Sequence, residues 1–263
     1  MVGVKYIASC SFGKDSLAMV LLLLEKKYPL DEVIFFDTGM EFQAIYNNRD
    51  KLSDILSSNN IKFSVLKDKK SFEYNAFQRE VHKKDGTIVY GYDWCGGSRR
   101  WATAAKLSTI NRHYKDNYGD EVVVEYVGVA ADESERIEKY RLKRTKSVKL
   151  YPLVEWGMTE RDCLNYCYKH GWNWKDNGIE LYEILDRVSC WCCANKNQKE
   201  IKNIMMYLPE YWENIKQYER RCGVLFKKKG CKYFEEKLGM FDKEEFSKEN
   251  IADRGDYIVK NQR

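Results

Sequence analysis

Short apolar runs alternate along the first part of the chain with longer segments that carry apolar side chains at helical spacing. Residues 6–8, 33–36 and 61–66 are compact apolar runs, which is typical of strands buried in a parallel sheet. The segment between the first two runs, and residues 41–59 between the second and third, have the spacing of helices. This β-α-β-α-β order predicts an α/β fold with a doubly wound, mainly parallel sheet.

The pattern changes in the middle of the chain. An Asp-Gly turn signal separates two short runs with strand character, which indicates a β-hairpin insertion near residues 78–92. Another apolar run, residues 122–129, predicts a further buried strand. We therefore expect an α/β domain over residues 1–188 and a helical, cysteine-bearing C-terminal region over residues 189–263.

Composition and charge are those expected of a soluble globular chain. Of its 263 residues, 44% are apolar and 14% aromatic, and the mean hydropathy is −0.64. The longest apolar run, residues 17–24, is too short to span a bilayer, and the N-terminus lacks a secretion signal, so we expect a cytoplasmic protein without a membrane partner. The net charge of +5 is compatible with an anionic substrate or with nucleic acid, and oligomerisation is left open.

The first apolar run leads into a loop of small and polar residues that continues directly into the first predicted helix. Gly13 lets the backbone of this loop approach a ligand closely, and the N–H groups at the start of a helix are unpaired. The geometry is that of an anion cradle, and phosphate is the expected ligand. The loop fits neither the Walker A motif nor G-x-G-x-x-G. The alternative is an ordinary strand-to-helix turn with Asp15 as a carboxylate at the helix start.

Polar residues also follow the second apolar run. Asp37, Thr38 and Gly39 come directly after a predicted buried strand, at the edge of an open α/β sheet where ligands bind. We expect them to lie beside the first loop. Alternatively, Asp37 and Thr38 only cap the helix that starts near Glu41.

The first loop resembles the pyrophosphate-binding PP-loop, S-x-G-x-D-S, of the ATP pyrophosphatases and the phosphoadenosine phosphosulfate (PAPS) reductase family. Four residues match that motif: Ser11, Gly13, Asp15 and Ser16. Further segments resemble the family in the same order along the chain: Asp37-Thr38-Gly39, Trp94-Cys95, Gly128 with Glu133 and Ser134, and a Pro-Leu-x-x-Trp strand, Pro152 to Trp156. The resemblance implies a PP-loop, Rossmann-like nucleotide-binding domain over residues 1–188.

The resemblance implies roles for these residues. The phosphates of ATP, or of a related adenine nucleotide, would contact the loop residues Ser11, Phe12, Gly13, Lys14, Asp15 and Ser16. As catalytic residues, Lys14 would offset charge on the leaving pyrophosphate, and Asp15 would hold Mg²⁺ or orient the loop. The nucleoside pocket would be lined by Asp37, Thr38 and Gly39.

The segment after the strand at residues 122–129 departs from the family pattern. Gly128 and Glu133 match and would contact the nucleotide. Many family members carry Arg just after this glycine, where the chain has Val129, and Arg136 is the expected substitute.

Nine cysteines is a high count for a chain expected in a reducing compartment, which favours metal ligands, reactive thiols or core residues over disulfides. Cys190 and Cys193 form a C-x-x-C pair that would bring two thiolates to one metal. Cys95, in the segment that resembles sulfur-transfer relatives, is the expected third ligand, and Cys192 is a replacement or fourth. A 4Fe-4S cluster is preferred, Zn²⁺ is the alternative, and a redox dithiol is the third option.

The resemblance implies two competing activities. An adenylating enzyme would cleave ATP between the α and β phosphates to activate an acceptor. The reaction would serve sulfur transfer between a sulfur donor and a sulfur-accepting substrate. A PAPS or APS reductase would instead use a C-terminal Glu-Cys-Gly-Leu-His thiol, and residues 232–263 contain no cysteine, so the adenylating enzyme is expected.

A third reading lies outside enzymology. The chain would then be a non-catalytic nucleotide sensor or a nucleic-acid-binding partner with a structural Zn²⁺. The basic run within residues 139–149 fits either contacts to nucleic-acid phosphates or a solvated face.

Overall fold

The structure is a computed structural model that describes residues 3–97, 99–133, 135, 137 and 147–239. The strands in these ranges are β1 (Val4–Ser9), β2 (Glu32–Asp37), β3 (Lys62–Lys67), β4 (Glu80–His82), β5 (Ile88–Tyr90), β6 (Val122–Val127), β7 (Val148–Leu150), β8 (Lys175–Asp176) and β9 (Ile179–Glu180). The chain forms two compact units, Met1–Asn195 and Lys196–Arg263. The predicted domain boundary between residues 188 and 189 stays a prediction.

A parallel sheet forms the centre of the first unit. Within the described residues it has five strands in the order β3-β2-β1-β6-β7, and every neighbouring pair is parallel. All six residues of β2 are buried, as expected for a continuous apolar run between two neighbouring strands. The predicted α/β fold with a mainly parallel sheet is therefore confirmed.

The helices with bounds in the described residues are α1 (Lys14–Glu25), α2 (Gln43–Ser58), α3 (Trp101–Tyr118), α4 (Pro152–Glu155), α5 (Glu160–Lys169), α6 (Leu181–Ile184), α7 (Gln198–Tyr207), α8 (Pro209–Cys222) and α9 (Cys231–Gly239). The expected Pro-Leu-x-x-Trp strand is wrong, because Pro152 begins the short helix α4 instead. Proline is well suited to the first turn of a helix, where its missing N–H has no intrahelical partner.

The predicted hairpin insertion is present as β4 and β5, which pair antiparallel. Its turn includes Gly86 at a φ of +83°, a conformation that glycine adopts without strain. Directly after β5 the backbone at Gly91 packs against the backbone of Ala76, because a Cβ on Gly91 would lie 2.1 Å from the carbonyl oxygen of Ala76. A glycine is therefore required where the insertion returns to the sheet.

Helix α5 begins with a capping box. The hydroxyl of Thr159 accepts a hydrogen bond from the backbone N–H of Asp162, whose carboxylate accepts one from the backbone of Thr159. The inner face of this helix carries Cys163 and Cys167, both fully buried, as expected for core residues. These contacts fix the helix whose first residue, Glu160, reaches the first loop.

The second unit is helical in its described part. Helices α7, α8 and α9 bury apolar side chains, among them Ile204, Trp212, Ile215 and Phe234. The indole N–H of Trp212 donates to Glu235, which ties α8 to α9. Across both units, no helix in the described ranges is long and apolar enough to cross a membrane.

Candidate functional site

Three loops meet at the carboxyl edge of the sheet because their strands are neighbours. Strand β1 lies between β2 and β6, and all three run in the same direction. The loop after β1 contains Gly13, the loop after β2 contains Gly39, and the loop after β6 contains Gly128. In an open α/β sheet this edge is the usual place for a ligand.

Aromatic side chains of the core hold the first loop through Phe12. Phe12 has a φ of +59°, and its ring is buried in edge contact with Phe35 at 5.1 Å between ring centroids. The indole N–H of Trp174 donates to the Phe12 carbonyl at 2.7 Å. Because its ring lies in the core, Phe12 offers a ligand its main chain rather than its side chain.

Ser16 closes the loop with its hydroxyl. The hydroxyl accepts from the backbone N–H of Ser11 at 3.1 Å and lies 3.2 Å from the carbonyl oxygen of Gly13, to which it donates. The hydroxyls of Ser11 and Ser16 are 3.1 Å apart. The two serines of the predicted motif therefore define the shape of the loop.

Lys14 is the first residue of α1, and only 7% of it is exposed. Its ammonium group pairs with Glu160 of α5 and lies 3.7 Å from a carboxylate oxygen of Asp15. It also lies 5.3 Å from the ring centroid of Tyr182, while the backbone N–H of Lys14 donates to the Tyr182 hydroxyl at 2.8 Å. The cation is thus held between α1, α5 and the ring of Tyr182.

Asp15 has an unusual environment for a carboxylate. Burial raises its pKa to about 6, and the negative charges of Glu160, Glu133 and Asp132 add to this rise, while Lys14 opposes it. Its Oδ1 atom is buried and has no hydrogen-bond partner in the described part of the protein. A cation bound here would satisfy that oxygen.

The two glycines of the site are required for different reasons. A Cβ built on Gly13 would meet its nearest protein atoms at 3.5 Å or more, which is ordinary contact, and Gly13 has a φ of −72°. A Cβ on Gly128 would lie 2.8 Å from the Cα of Ser16. The fold therefore needs a glycine at position 128, whereas at position 13 it leaves room for a side chain.

The carboxylate of Asp37, the last residue of β2, holds the segment that follows this strand. Asp37 accepts from the backbone N–H of Gly39 at 2.8 Å, from the hydroxyl of Tyr46 at 2.9 Å and from Lys67 at 3.1 Å. Burial alone would raise the pKa of Asp37, but these partners hold it below its ordinary value. The alternative that Asp37 or Thr38 caps the next helix is wrong, because the N-cap of α2 is Phe42 and no side chain caps it.

The segment after β6 is described only in part. Glu133 pairs with Arg187 at 2.9 Å, and the carboxylate of Asp132 accepts from the backbone N–H of Glu160 at 3.0 Å. These contacts hold the segment beside α5. The motif residue Ser134 and the predicted contact of Arg136 lie outside the described residues.

The predicted cysteine ligands lie on two loops that pack together. The backbone N–H of Ala194 donates to the carbonyl of Cys95 at 3.1 Å, and a Cβ on Gly96 would lie 2.8 Å from the Cβ of Ala194. The backbone N–H of Cys193 donates to the carbonyl of Cys190 at 3.1 Å, which turns the C-x-x-C segment. Cys95 is therefore a neighbour of the segment that carries the pair.

The C-x-x-C segment also contacts the loop after β2. The backbone N–H of Trp191 donates to the carbonyl of Met40 at 3.0 Å, and the thiol of Cys190 lies 3.5 Å from both the Thr38 hydroxyl and a Glu41 oxygen. Burial, and then the nearby Glu41 carboxylate, raise the pKa of Cys190 well above its ordinary value. This environment favours the protonated thiol of Cys190.

The donor chemistry of this region fits a thiophilic metal or cluster, since Cys95, Cys190, Cys192 and Cys193 are free thiols on adjoining segments. In the ranges that the structure describes, however, no three Cys, His, Asp or Glu side chains are gathered as metal ligands. The predicted metal centre therefore stays a prediction, and so does the choice among its four cysteines.

Three residues of the site gave no signal in the sequence, and a fourth gave only a weak one. Glu41, Glu160, Trp174 and Tyr182 contact the first loop or the cysteine segment in the structure. Three of them lie about 150 residues beyond the first loop, outside any motif that a local pattern could reveal. Glu41 follows the Asp37-Thr38-Gly39 segment by two residues, so the sequence placed it next to the predicted nucleoside pocket without giving it a role of its own.

Comparison with known proteins places these features in a family context. A model of the phosphoadenosine phosphosulfate reductase domain matches residues 5–195. An uncharacterized protein of Methanocaldococcus jannaschii is 26% identical over 216 residues, which cover 77% of this chain and 39% of that protein. An adenosine 5'-phosphosulfate reductase of Geobacillus thermodenitrificans is 27% identical over 184 residues, covering 64% of this chain and 65% of that enzyme.

These curated relatives are longer proteins, of which the chain spans between about two fifths and two thirds. Among solved structures, the U34-tRNA thiolase NcsA from Methanococcus maripaludis, determined with its 4Fe-4S cluster, is similar with a TM-score of 0.45 and 15% sequence identity. That match covers 85% of this chain and 74% of the thiolase.

Proposed function

The chain belongs to the phosphoadenosine phosphosulfate reductase family, and from that premise we propose that it is an adenylating enzyme of sulfur transfer. It binds ATP, or a related adenine nucleotide, with its phosphates in the loop from Ser11 to Ser16. The observation that carries this proposal is the environment of Gly13. The fold leaves room for a side chain there, so a ligand that needs direct access to the backbone explains the glycine.

In the proposed reaction an acceptor oxygen forms a bond to the α-phosphorus of ATP while the bond from that phosphorus to the bridging oxygen breaks. Pyrophosphate leaves with the electron pair of that bond, and a sulfur nucleophile then displaces AMP from the acceptor. Lys14 neutralises charge that develops on pyrophosphate, since it is a loop residue whose ammonium group is held next to Asp15 and Tyr182. Glu160, which pairs with Lys14, keeps the buried cation paired until the nucleotide binds.

Asp15 is the proposed ligand of Mg²⁺. Its buried Oδ1 has no partner among the described residues, and carboxylate oxygens are the ligands that Mg²⁺ prefers. The cation would lie between the carboxylate and the phosphates, so it would remove the repulsion between Asp15 and the anionic nucleotide.

The nucleoside is proposed to lie along Asp37, Thr38 and Gly39. The carboxylate of Asp37 is occupied by protein partners, so it shapes this segment and leaves Gly39 and the Thr38 main chain to face the ligand. Gly128 contributes by letting the segment after β6 approach Ser16, and Glu133 by holding that segment through Arg187.

The cysteines are proposed to serve the sulfur step. Cys95, Cys190 and Cys193 would hold a 4Fe-4S cluster, or Zn²⁺ in the alternative, with Cys192 as a replacement ligand. A bound cluster with three cysteine ligands would supply a binding position for the donor sulfur. The contact of Cys190 with Thr38 supports this role, because it joins the cysteine segment to the proposed nucleoside pocket.

The second candidate activity is reduction of a sulfonucleotide. It is favoured by the adenosine 5'-phosphosulfate reductase of G. thermodenitrificans, which is similar over 64% of this chain. A nucleotide sensor or nucleic-acid-binding partner with a structural zinc is the non-catalytic candidate.

One set of assays separates these candidates. Anaerobically purified protein is incubated with ATP, Mg²⁺, sulfide and a nucleotide-free cell extract that supplies the acceptor, or with adenosine 5'-phosphosulfate and a dithiol, with heat-inactivated protein as the background control. Its iron and zinc are measured by absorption and metal analysis. Release of pyrophosphate and AMP from ATP is the expected result. Release of sulfite from the sulfonucleotide instead would establish the reductase, and nucleotide binding without either product, together with zinc, would establish the non-catalytic partner.

A further inference from the structure

We propose that the hydroxyl of Tyr182 is a phosphate-binding group of the first loop, donating a hydrogen bond to a phosphoryl oxygen of a polyphosphate nucleotide. The inference rests on the proposed function, to which it adds a binding residue more than 160 positions away from the loop in sequence. Tyr182 lies outside every motif by which the sequence resembles the family.

The hydroxyl is placed at the start of α1. It accepts the backbone N–H of Lys14, the first residue of that helix, at 2.8 Å. The first N–H groups of a helix have no intrahelical acceptor, and they are the groups that bind anions at helix starts. The oxygen of Tyr182 therefore makes, with the N–H of Lys14, the kind of contact that anions make at helix starts.

The same hydroxyl borders the space beside Gly13. A Cβ built on Gly13 would lie 3.5 Å from the Tyr182 oxygen, 3.8 Å from the Ser11 hydroxyl oxygen and 3.8 Å from the Val188 carbonyl oxygen. Two hydroxyls from distant parts of the chain thus border one small space at the loop. Ser16 donates its hydroxyl hydrogen to Gly13, so the Ser11 hydroxyl donates to Ser16 and would reach an anion only by giving up that bond, whereas the hydrogen of the Tyr182 hydroxyl is available to the anion. The carbonyl of Val188 on the third side has no hydrogen to give.

The ring of Tyr182 cannot easily move away. It packs edge-on against Trp174 with ring centroids 4.8 Å apart, and Trp174 in turn donates to the carbonyl of Phe12 at 2.7 Å. The ammonium group of Lys14 lies against the ring at 5.3 Å from its centroid. The hydroxyl is therefore fixed before a ligand arrives, so binding requires little reorganisation of this group.

The hydroxyl also has a proton to give. Its contact with Lys14 uses a lone pair of the oxygen, and a tyrosine hydroxyl has one donor hydrogen in addition to its lone pairs. Burial raises the pKa of Tyr182 well above its ordinary value, which keeps the group protonated at physiological pH. It accepts from the helix start on one side and donates to the phosphate on the other.

The test compares two tyrosine-to-phenylalanine variants of the full chain. Tyr182→Phe removes the hydroxyl but retains the ring that packs on Trp174 and Lys14. Tyr168→Phe is the matched control, because Tyr168 also packs edge-on against Trp174, at 6.2 Å, while its hydroxyl bonds to Glu180 rather than to the loop. Dissociation constants of ATP, inorganic pyrophosphate and adenosine are measured by equilibrium dialysis.

Tyr182→Phe is expected to weaken ATP and pyrophosphate binding by about five- to tenfold, the usual effect of losing one hydrogen bond, with adenosine binding unchanged. Tyr168→Phe should leave all three constants at the wild-type values. Unchanged pyrophosphate binding in Tyr182→Phe, or an equal loss for pyrophosphate and adenosine, would overturn the inference while leaving the proposed function intact. Wild-type protein that binds neither ATP nor pyrophosphate would overturn the proposed function itself.

Discussion

Gly128 lies so close to Ser16 that a Cβ added to the glycine would be 2.8 Å from the Cα of the serine. The end of β6 and the first turn of α1 therefore meet backbone to backbone, and the loop before α1 is supported on that side. The contrast with Gly13, where a Cβ would meet only ordinary contacts, separates a glycine required by the fold from one required by a ligand.

The first prediction follows from that contrast. Gly13→Ala, like the bulkier Gly13→Val, should weaken ATP binding by about tenfold or more, because the side chain would occupy the space of a phosphate. The thermal midpoint of Gly13→Ala should stay close to the wild-type value. Gly128→Ala should instead lower the free energy of unfolding by about 1–3 kcal/mol, since the backbone at Ser16 has to shift.

Calorimetric titration with ATP and thermal unfolding of both variants check this prediction. Unchanged ATP affinity in Gly13→Ala would contradict the assignment of the loop. An unfolded Gly13→Ala protein would contradict the structural argument that the fold leaves room for the methyl group.

The second prediction concerns Mg²⁺ at Asp15. In the wild type, Mg²⁺ should strengthen ATP binding, because the Asp15 carboxylate would hold the cation that neutralises the phosphates. In Asp15→Asn the amide keeps the shape of the side chain but loses its charge, so the strengthening by Mg²⁺ should fall about tenfold. Titrations with ATP in the presence of Mg²⁺ or of a chelator measure the effect, with Asp132→Asn as the control carboxylate. Equal strengthening by Mg²⁺ in wild type and Asp15→Asn would exclude Asp15 as the ligand.

The third prediction concerns the cysteine segment. Cys190→Ser should lower the iron or zinc content of anaerobically purified protein by more than about tenfold, because a serine hydroxyl is a poor ligand for a thiophilic metal. Sulfur-transfer activity should be lost with the metal, whereas ATP binding should persist, since the loop from Ser11 to Ser16 is unaltered. Cys222→Ser, in the second unit, is the control and should keep its metal. A metal content in Cys190→Ser equal to that of the wild type would refute the centre.

Elements whose formation follows from a local pattern could be predicted from the sequence, whereas elements decided by tertiary contacts could not. The run at residues 33–36 identified β2 because burial on both faces imposes a continuous apolar pattern on the sequence itself. The expected strand beginning at Pro152 was wrong, since three apolar or proline residues fit a strand or a first helical turn equally well. Tertiary contacts decide such short segments, as they did for α4.

The sequence predicted the motif residues of the candidate site, but not the distant side chains that hold its loops in place. Ser11 and Ser16 could be identified because they belong to one contiguous pattern, and the structure joins their hydroxyls. Trp174 and Tyr182 could not, because a side chain that supports a loop from more than 150 residues away leaves no periodic or local signal. Asp37 could be identified as a residue at the sheet edge. That its carboxylate binds Tyr46 and Lys67 could not be predicted, because those contacts depend on packing.

The fourth prediction concerns pH and Glu32, the buried first residue of β2. Burial alone would raise the pKa of Glu32, but hydrogen bonds from Ser64, Tyr118 and His113 outweigh it and hold that pKa below its ordinary value of 4.5. Lys62 adds an ion pair at 3.2 Å. Because the folded pKa is lower than the unfolded one, the stabilisation is complete above pH 4.5 and is lost as the pH falls through the folded pKa.

Glu32→Gln should therefore lower the free energy of unfolding by about 2 kcal/mol at pH 7, and the difference from wild type should shrink as the solution is acidified. Urea unfolding at a series of pH values measures both quantities. A constant difference between the two proteins from neutral to acidic pH would show that the charge of Glu32 is not what stabilises the network.

The pairing of β1 with β6 also has a consequence for synthesis of the protein. Val4 pairs with Val122, so the first strand to leave the ribosome waits for a neighbour made much later. The loop after β1 waits longer still, because Trp174 and Tyr182 are the residues that hold it. Nascent chains that end before Tyr182 should therefore leave this loop without its aromatic support, and nucleotide would enter only after most of the first unit has been translated.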